Sequence, residues 1–183
     1  MIPTVKECFE FMEKYGMLEN IRAHSVVVEK VANLIAQGLI DAGVDLMIEK
    51  VTAGALLHDI GKSICLKTGG DHAVKGEEIC VQHGLEEIAG IVREHITLQS
   101  FQPGAAICEK EIIYYADKRV NHDSVVSLED RLAYLLQRYG KNDGFICSRI
   151  RENFDLCKEV ESRLFKGLFF RPEALGEMLN PSP

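Results

Sequence analysis

The sequence predicts an all-α fold: a single-domain helical bundle of about seven to nine helices. Three observations carry this. Apolar residues recur at spacings of three and four along almost the whole chain. No segment shows a convincing two-residue strand alternation. No repeat, low-complexity linker or shift in composition divides the 183 residues, a length that suits one domain with one sizeable core.

The elements come in order. Residues 5–17 read as a short helix with Cys8, Phe9 and Met12 turned inward. Asn20 is a plausible cap for a long helix from 21 to about 41, with Val27, Val31, Leu34 and Ile35 on its apolar face. Ala42-Gly43 ends it. Asp45 caps a helix running through Val51, Ala55 and Leu56 to Ile60. Thr68-Gly69-Gly70 reads as a loop, Asp71 as the cap of a helix to about His83, and Gly84 as the break before a helix over about 85–97. After Pro103-Gly104 a helix from about 106 reaches Lys118. Ser127 caps a helix to about Tyr139, with Asp130 at the reciprocal position of a capping box. Residues 140–144 form a turn. A last long helix covers about 146–165, with a weaker one after Pro172. Its stripe of Ile146, Ile150, Phe154, Leu164 and Phe165 reads as core or as a homodimer face.

The net charge of −7 argues against nucleic acid as a partner, since a broad basic face is missing. None of the six cysteines falls in a C-x-x-C pair, so they read as reduced, mostly buried thiols of a cytoplasmic protein. The first residues lack the apolar core of a signal peptide, and no run is long enough to span a bilayer.

The polar residues that break the helical pattern are the informative ones. Ala53-Gly54-Ala55-Leu56-Leu57 runs into His58-Asp59, then Ile60-Gly61-Lys62. An apolar helix ending on an imidazole and a carboxylate suits a first-row divalent ion. Gly61 reads as the residue that lets the chain turn away, and Lys62 as a contact for a phosphate on the same ion. His24 lies one turn into the preceding long helix. A short connection makes these two helices antiparallel, which brings His24 to His58 and Asp59 across 34 residues. His72 and His95 hold equivalent places on a second hairpin turning at Gly84. His83 sits at that turn, 11 residues from His72, or roughly 16 Å along a helix, too far to share its ion. Asp117 ends the apolar run 112–116, where a carboxylate is costly unless paired or metal-bound. The reading is therefore His24, His58, Asp59 and Asp117 for one ion, and His72 and His95 for a second, with Asp59 bridging. Mixed nitrogen and oxygen donors suit manganese, iron, cobalt, nickel or zinc better than calcium. Arg22, Lys118, Arg119 and Arg131 are candidate anion contacts.

Each residue also has an ordinary use. His58 at a helix end interacts with the helix dipole, His24 among valines serves as a core histidine, Asp117 pairs with Lys118 or Arg119, and the named cations sit on solvated surface. His122-Asp123 lacks the apolar helix before it and the Gly-Lys after it, and reads as loop.

The ordered set His24, His58-Asp59, Asp117 resembles that of the HD superfamily of metal-dependent phosphohydrolases, and His58-Asp59-Ile60-Gly61-Lys62 is similar to its HDIG variant. The resemblance covers about residues 20–140, which implies an HD core there with the helices of 146–183 packed on it. His72 with Gly76, and then His95, is similar to branches that bind two metals. Among these are the symmetrical dinucleoside tetraphosphate hydrolases, which also carry an apolar run ending as at Ala116-Asp117-Lys118; the next four residues, Arg119-Val120-Asn121-His122, do not clearly match them. The resemblance implies hydrolysis of a phosphoester or phosphoanhydride bond in a nucleotide-like small molecule by a metal-bound hydroxide. Asp59 and Lys62 would be catalytic, with Lys62, Arg22, Lys118 and Arg119 meeting the substrate. A regulatory module that binds metal and nucleotide without turnover is the alternative. A nuclease is disfavoured by the acidic balance.

Overall fold

The computed structural model describes residues 1–140 and 143–179. Among them are nine helices of seven residues or more and a short tenth: α1 (Val5–Lys14), α2 (Glu19–Asp41), α3 (Ile48–Leu57), α4 (Lys62–Thr68), α5 (His72–Gln82), α6 (Glu86–Glu94), α7 (Glu109–Lys118), α8 (Leu128–Leu135), α9 (Gly144–Phe165) and α10 (Leu175–Leu179). The all-α expectation holds. Two hairpins, α2 against α3 and α5 against α6, enclose α7, which packs on α2, α3, α6 and α9. Residues Ile112, Ile113, Tyr114, Tyr115 and Ala116 of α7 have no solvent exposure, so this helix is the axis of the core. No helix among the described residues is long and apolar enough to cross a membrane.

Several boundaries differ from expectation for identifiable reasons. The long helix starts at Glu19 rather than after an Asn20 cap. Its Leu18 N–H donates instead to Ser63 Oγ, 2.9 Å away on α4. Asp45 does not cap α3; the helix begins two residues later, and Met47 N–H donates to the Glu109 carboxylate at 3.2 Å. Both helix starts thus take a distant side chain where a local one was expected. Asp71 does cap α5, accepting from the N–H groups of Ala73 and Val74. Ser127 caps α8, and its hydroxyl donates to Asp130 at 2.8 Å. That helix then loosens into a π-helical turn, Leu136–Gly140. Helix α4 went unread because seven residues between two glycines carry too little periodicity. A two-residue antiparallel ladder, Val120–Asn121 with Ser124–Val125, also escaped notice; His122 turns it with φ 54°. Of the turn expected at 140–144, residues 141 and 142 lie outside the described residues.

Gly61 does not work as expected. Its φ of −78° and ψ of −14° are ordinary right-handed values, so no left-handed turn demands glycine here. The reason is contact: a Cβ at 61 would sit 2.4 Å from the His72 carbonyl oxygen and 2.7 Å from the Gly76 nitrogen. Gly76 in turn leaves room for Val92, whose Cγ1 would lie 2.5 Å from a Cβ there. The two glycines let α5 press its backbone onto the His58–Lys62 corner, which carries His72 to Asp59.

Candidate metal centre

Helices α3 and α6 end in the same way. His58 and His95 are their C-cap residues. Each approaches the free carbonyl three residues back through Nδ1, His58 to Ala55 and His95 to Val92, both at 2.7 Å. A carbonyl only accepts, so Nδ1 carries a proton, and in the neutral ring Nε2 is the nitrogen with the lone pair. His24, on α2, is fixed alike: its Nδ1 lies 2.9 Å from the carbonyl oxygen of His122 in the hairpin turn. Three rings on three helices are thus held in the tautomer a metal ligand needs.

Those nitrogens converge on carboxylates. His24 Nε2 lies 3.0 Å from Asp117 Oδ1, and His58 Nε2 lies 3.7 Å from the same oxygen and 3.6 Å from Asp59 Oδ2. On the other side of Asp59, Oδ1 is 3.1 Å from His72 Nε2 and 3.5 Å from His95 Nε2. The donor atoms of His24, His58 and Asp59 all fall within 4.8 Å of one another, as do those of Asp59, His72 and His95. Asp59 belongs to both groups. His58 and Asp59 are fully or almost fully buried, yet His58 Nε2 and Asp59 Oδ1 have no hydrogen-bond partner among the described residues. Lone pairs facing lone pairs in the interior are costly unless a cation lies between them. The donor set therefore fits divalent metal.

Burial drives the His58 imidazolium pKa down to about 3, its neighbour His95 adding to the effect against the pull of Asp59; His58 is neutral at ordinary pH. Burial opposes charge on Asp59 as well, but the Lys62 ammonium beside Oδ2 helps to outweigh it, and its carboxyl lies well below the usual range. The same holds at Asp117, where Lys118 is the largest of the opposing influences. Lys62 donates to Asp59 Oδ2 at 2.7 Å. That carboxylate, against the cost of burial, raises the Lys62 pKa.

The other expected cations divide. Lys118 is buried; its ammonium donates to the His95 carbonyl and, at 3.3 Å, to Asp117 Oδ2, and stands 4.2 Å from the centre of the Tyr114 ring. Burial lowers its pKa although Asp117 resists. It fastens two candidate ligands as well as touching the cleft. Arg22 and Arg119, expected at the substrate, are not brought there. Arg22 Nε donates to the Met17 carbonyl at 2.9 Å. Arg119 is buried with its guanidinium spent on the carbonyls of Val126 and Pro172 and on Tyr115 and Glu161. Arg131 does line the cleft, with Nε buried and unpartnered among the described residues.

The cleft over the centre has a volume of about 720 Å³. Its floor holds Asp59, His72, His95 and Asp117, and its outer wall is built by the π-helical turn and α9. Of the stripe expected in a core or dimer face, Phe154 and Leu164 are core and Ile150 packs against it, while Ile146, Ile150 and Phe154 also line the cleft. Tyr139, Arg149 and Asn153, which drew no notice, line it too. The carbonyls of Ala55, Val92 and His122 were also missed, because every residue has a carbonyl and only the fold says which one is free.

An all-α bundle that gathers buried imidazoles and carboxylates at the ends of two hairpins presents a donor set that fits a divalent metal. The chain belongs to the HD domain family, whose model matches residues 21–134; that family belongs to a superfamily of metal-dependent phosphohydrolases. It is 38% identical over 87 residues to ribonuclease Y of Fervidobacterium nodosum, covering 47% of this chain but only 16% of that protein. It is 30% identical over 138 residues to an uncharacterized protein of Methanocaldococcus jannaschii, covering 68% and 80% of the two chains. It is also 34% identical over 114 residues to a tRNA (cytidine(56)-2'-O)-methyltransferase of Thermoplasma volcanium, covering 62% and 30%. No solved structure matches the chain.

Proposed function

We propose that the chain is a metal-dependent phosphohydrolase cleaving a phosphoester or phosphoanhydride bond of a nucleotide-like small molecule. The observation that carries this is the pair of donor groups joined at Asp59 on the floor of an open cleft. His24, His58 and Asp117 would hold one ion, His72 and His95 a second, and Asp59 both. Manganese, iron, cobalt, nickel or zinc in such a site supplies charge against phosphoryl oxygens and lowers the pKa of a water toward neutrality. The chain's own residues do the positioning. The three Nδ1 contacts keep the ring orientations, so the donor atoms need no rearrangement when substrate arrives. Asp59 holds the Lys62 ammonium at the edge of the floor, a third exposed (34%), where it can meet a phosphate oxygen.

The test is Asp59→Ala. The expected result is loss of bound metal and a drop in turnover of at least about a hundredfold, since even outer-shell changes cost 10–100-fold. Full activity with unchanged metal content overturns the reading. Substrates are nucleoside mono- and diphosphates and dinucleoside polyphosphates, each with the five metals. Tight nucleotide binding without turnover under any metal would select the regulatory module instead. A second reading, phosphodiester cleavage in RNA, draws on the ribonuclease Y match against a net charge of −7. Cleavage of an RNA oligonucleotide with rates falling steeply in salt would favour it.

A further inference from the structure

The outer wall of the cleft lies beyond the residues that match the HD family model, which end at 134. Three of its exposed side chains are large and apolar, Phe145 at 74% exposed, Tyr139 at 52% and Ile146 at 40%, beside the charged Arg149 and Glu152, all at the cleft. Helix α9 sets their depth. Asn153 is the inner mark, since its Nδ2 donates to the Ile96 carbonyl at 2.9 Å, one residue past His95. Arg149 lies one turn farther out, about 6 Å along the axis, and Phe145 two turns out, about 12 Å. Tyr139 lines the cleft from the π-helical turn, a backbone form that recurs at functional sites. The cleft is therefore lined by candidate metal ligands on its floor, by Arg149 and Glu152 on its wall, and by the exposed rings of Tyr139 and Phe145.

We propose that Tyr139 and Phe145 form a subsite for the planar ring of a phosphorylated substrate whose phosphate sits at the metal centre, so that this wall selects base-bearing over base-free phosphates. The inference rests on the phosphohydrolase reading for the phosphate end. The order of chemistry along the cleft names the occupant. An anion is drawn to bound cations at the floor and to Arg149, and a flat apolar group carried on that anion can meet rings able to stack on it. A second copy of the chain is the competing occupant of Phe145 and Ile146.

The experiment compares adenosine 5′-monophosphate with ribose 5-phosphate on the manganese-loaded protein, wild type and the Tyr139→Ala/Phe145→Ala double variant. Affinity is taken as Kd, or as KM for a ligand that is turned over. Wild type should prefer the nucleotide by about tenfold or more, and the double variant should lose that preference while holding ribose 5-phosphate as before. Both side chains are more than half exposed, so the variant keeps the core intact; unchanged ribose 5-phosphate affinity and an unchanged melting temperature verify it. Equal wild-type affinities, or a preference that survives in the variant, overturn the subsite and leave the phosphate reading standing. Failure of manganese-loaded protein to bind either ligand overturns both. Self-association that depends on Phe145, with the ligand ratio unchanged in the variant, gives the wall to a second copy and also overturns the proposal.

Discussion

At the scale of single residues, the centre is held by protonation states. His58 keeps its proton on Nδ1 against Ala55, and burial takes the imidazolium pKa down to about 3. In the unfolded chain the same ring takes up a proton near 6.5. Between those values the unfolded state binds a proton that the folded state refuses, so stability falls as pH falls. For this one group the slope approaches about 1.4 kcal/mol per pH unit. From pH 6.5 to 5 this loss precedes that of Asp59 and Asp117, held well below the usual carboxylate range, and among the described residues is opposed only by Glu29 and Glu111, whose carboxyls burial raises. Urea midpoints of chelator-treated protein should therefore drop steadily from pH 6.5 to 5. A level profile would mean that His58 is not a neutral buried imidazole. The sequence carried part of this: His24, His58, Asp59, His72, His95 and Asp117 stand out because polar residues interrupt apolar periodicity. The carbonyls that fix the tautomers, and the spent donors of Arg119, could not be seen. An arginine beside a candidate ligand looks the same in sequence whether its guanidinium faces a cleft or the backbone of residues 126 and 172.

At the scale of elements, periodicity and capping located long helices well and short ones poorly. Helices α2, α5 and α9 were legible because many apolar spacings agree. Helix α4 and the Val120–Val125 ladder were not, because their order comes from neighbours rather than from their own pattern. The Gly61–Gly76 contact belongs to this scale. Replacing Gly61 with Ala places a methyl against backbone atoms of α5 at 2.4 and 2.7 Å, and backbone cannot rotate aside as a side chain can. The expected cost is about 1–3 kcal/mol of stability, with weaker metal binding, because α5 must retreat and take His72 from Asp59. Chemical denaturation and metal titration of Gly61→Ala check both; an unchanged midpoint would show that the two backbones are not packed as described. A gentler probe sits on α7 and α9. Tyr114 O–H lies 2.6 Å from the Asn153 carbonyl oxygen and 2.8 Å from its Oδ1, while Asn153 Nδ2 donates to Ile96. Tyr114→Phe should cost about 1 kcal/mol and loosen the inner end of the cleft wall without touching a candidate ligand; denaturation midpoints again measure it.

At the scale of the molecule, the candidate ligands come from five helices: α2, the end of α3, α5, the end of α6, and α7. Only the folded chain brings them together, so metal affinity and folding are linked. This ties the whole bundle to the centre more tightly than any single contact. Without a cation, the folded state bears buried Nε2 and Oδ1 atoms that lack partners; with one, their lone pairs are used. A ligand at a hundred times its dissociation constant adds about 2.7 kcal/mol to the folded state. For a chain of this size each kcal/mol moves the melting temperature by roughly 2–4 °C. Removing metal with a chelator should lower the melting temperature by about 5–10 °C, and manganese or zinc in excess of the chelator should restore it. Asp59→Ala supplies the control, because it removes the one side chain that belongs to both donor groups. Its melting temperature should hardly respond to metal in either direction, whereas Lys62→Ala, which leaves every proposed ligand in place, should keep most of the shift. A wild-type protein indifferent to chelator and metal alike would mean that these helices close around something other than a divalent ion.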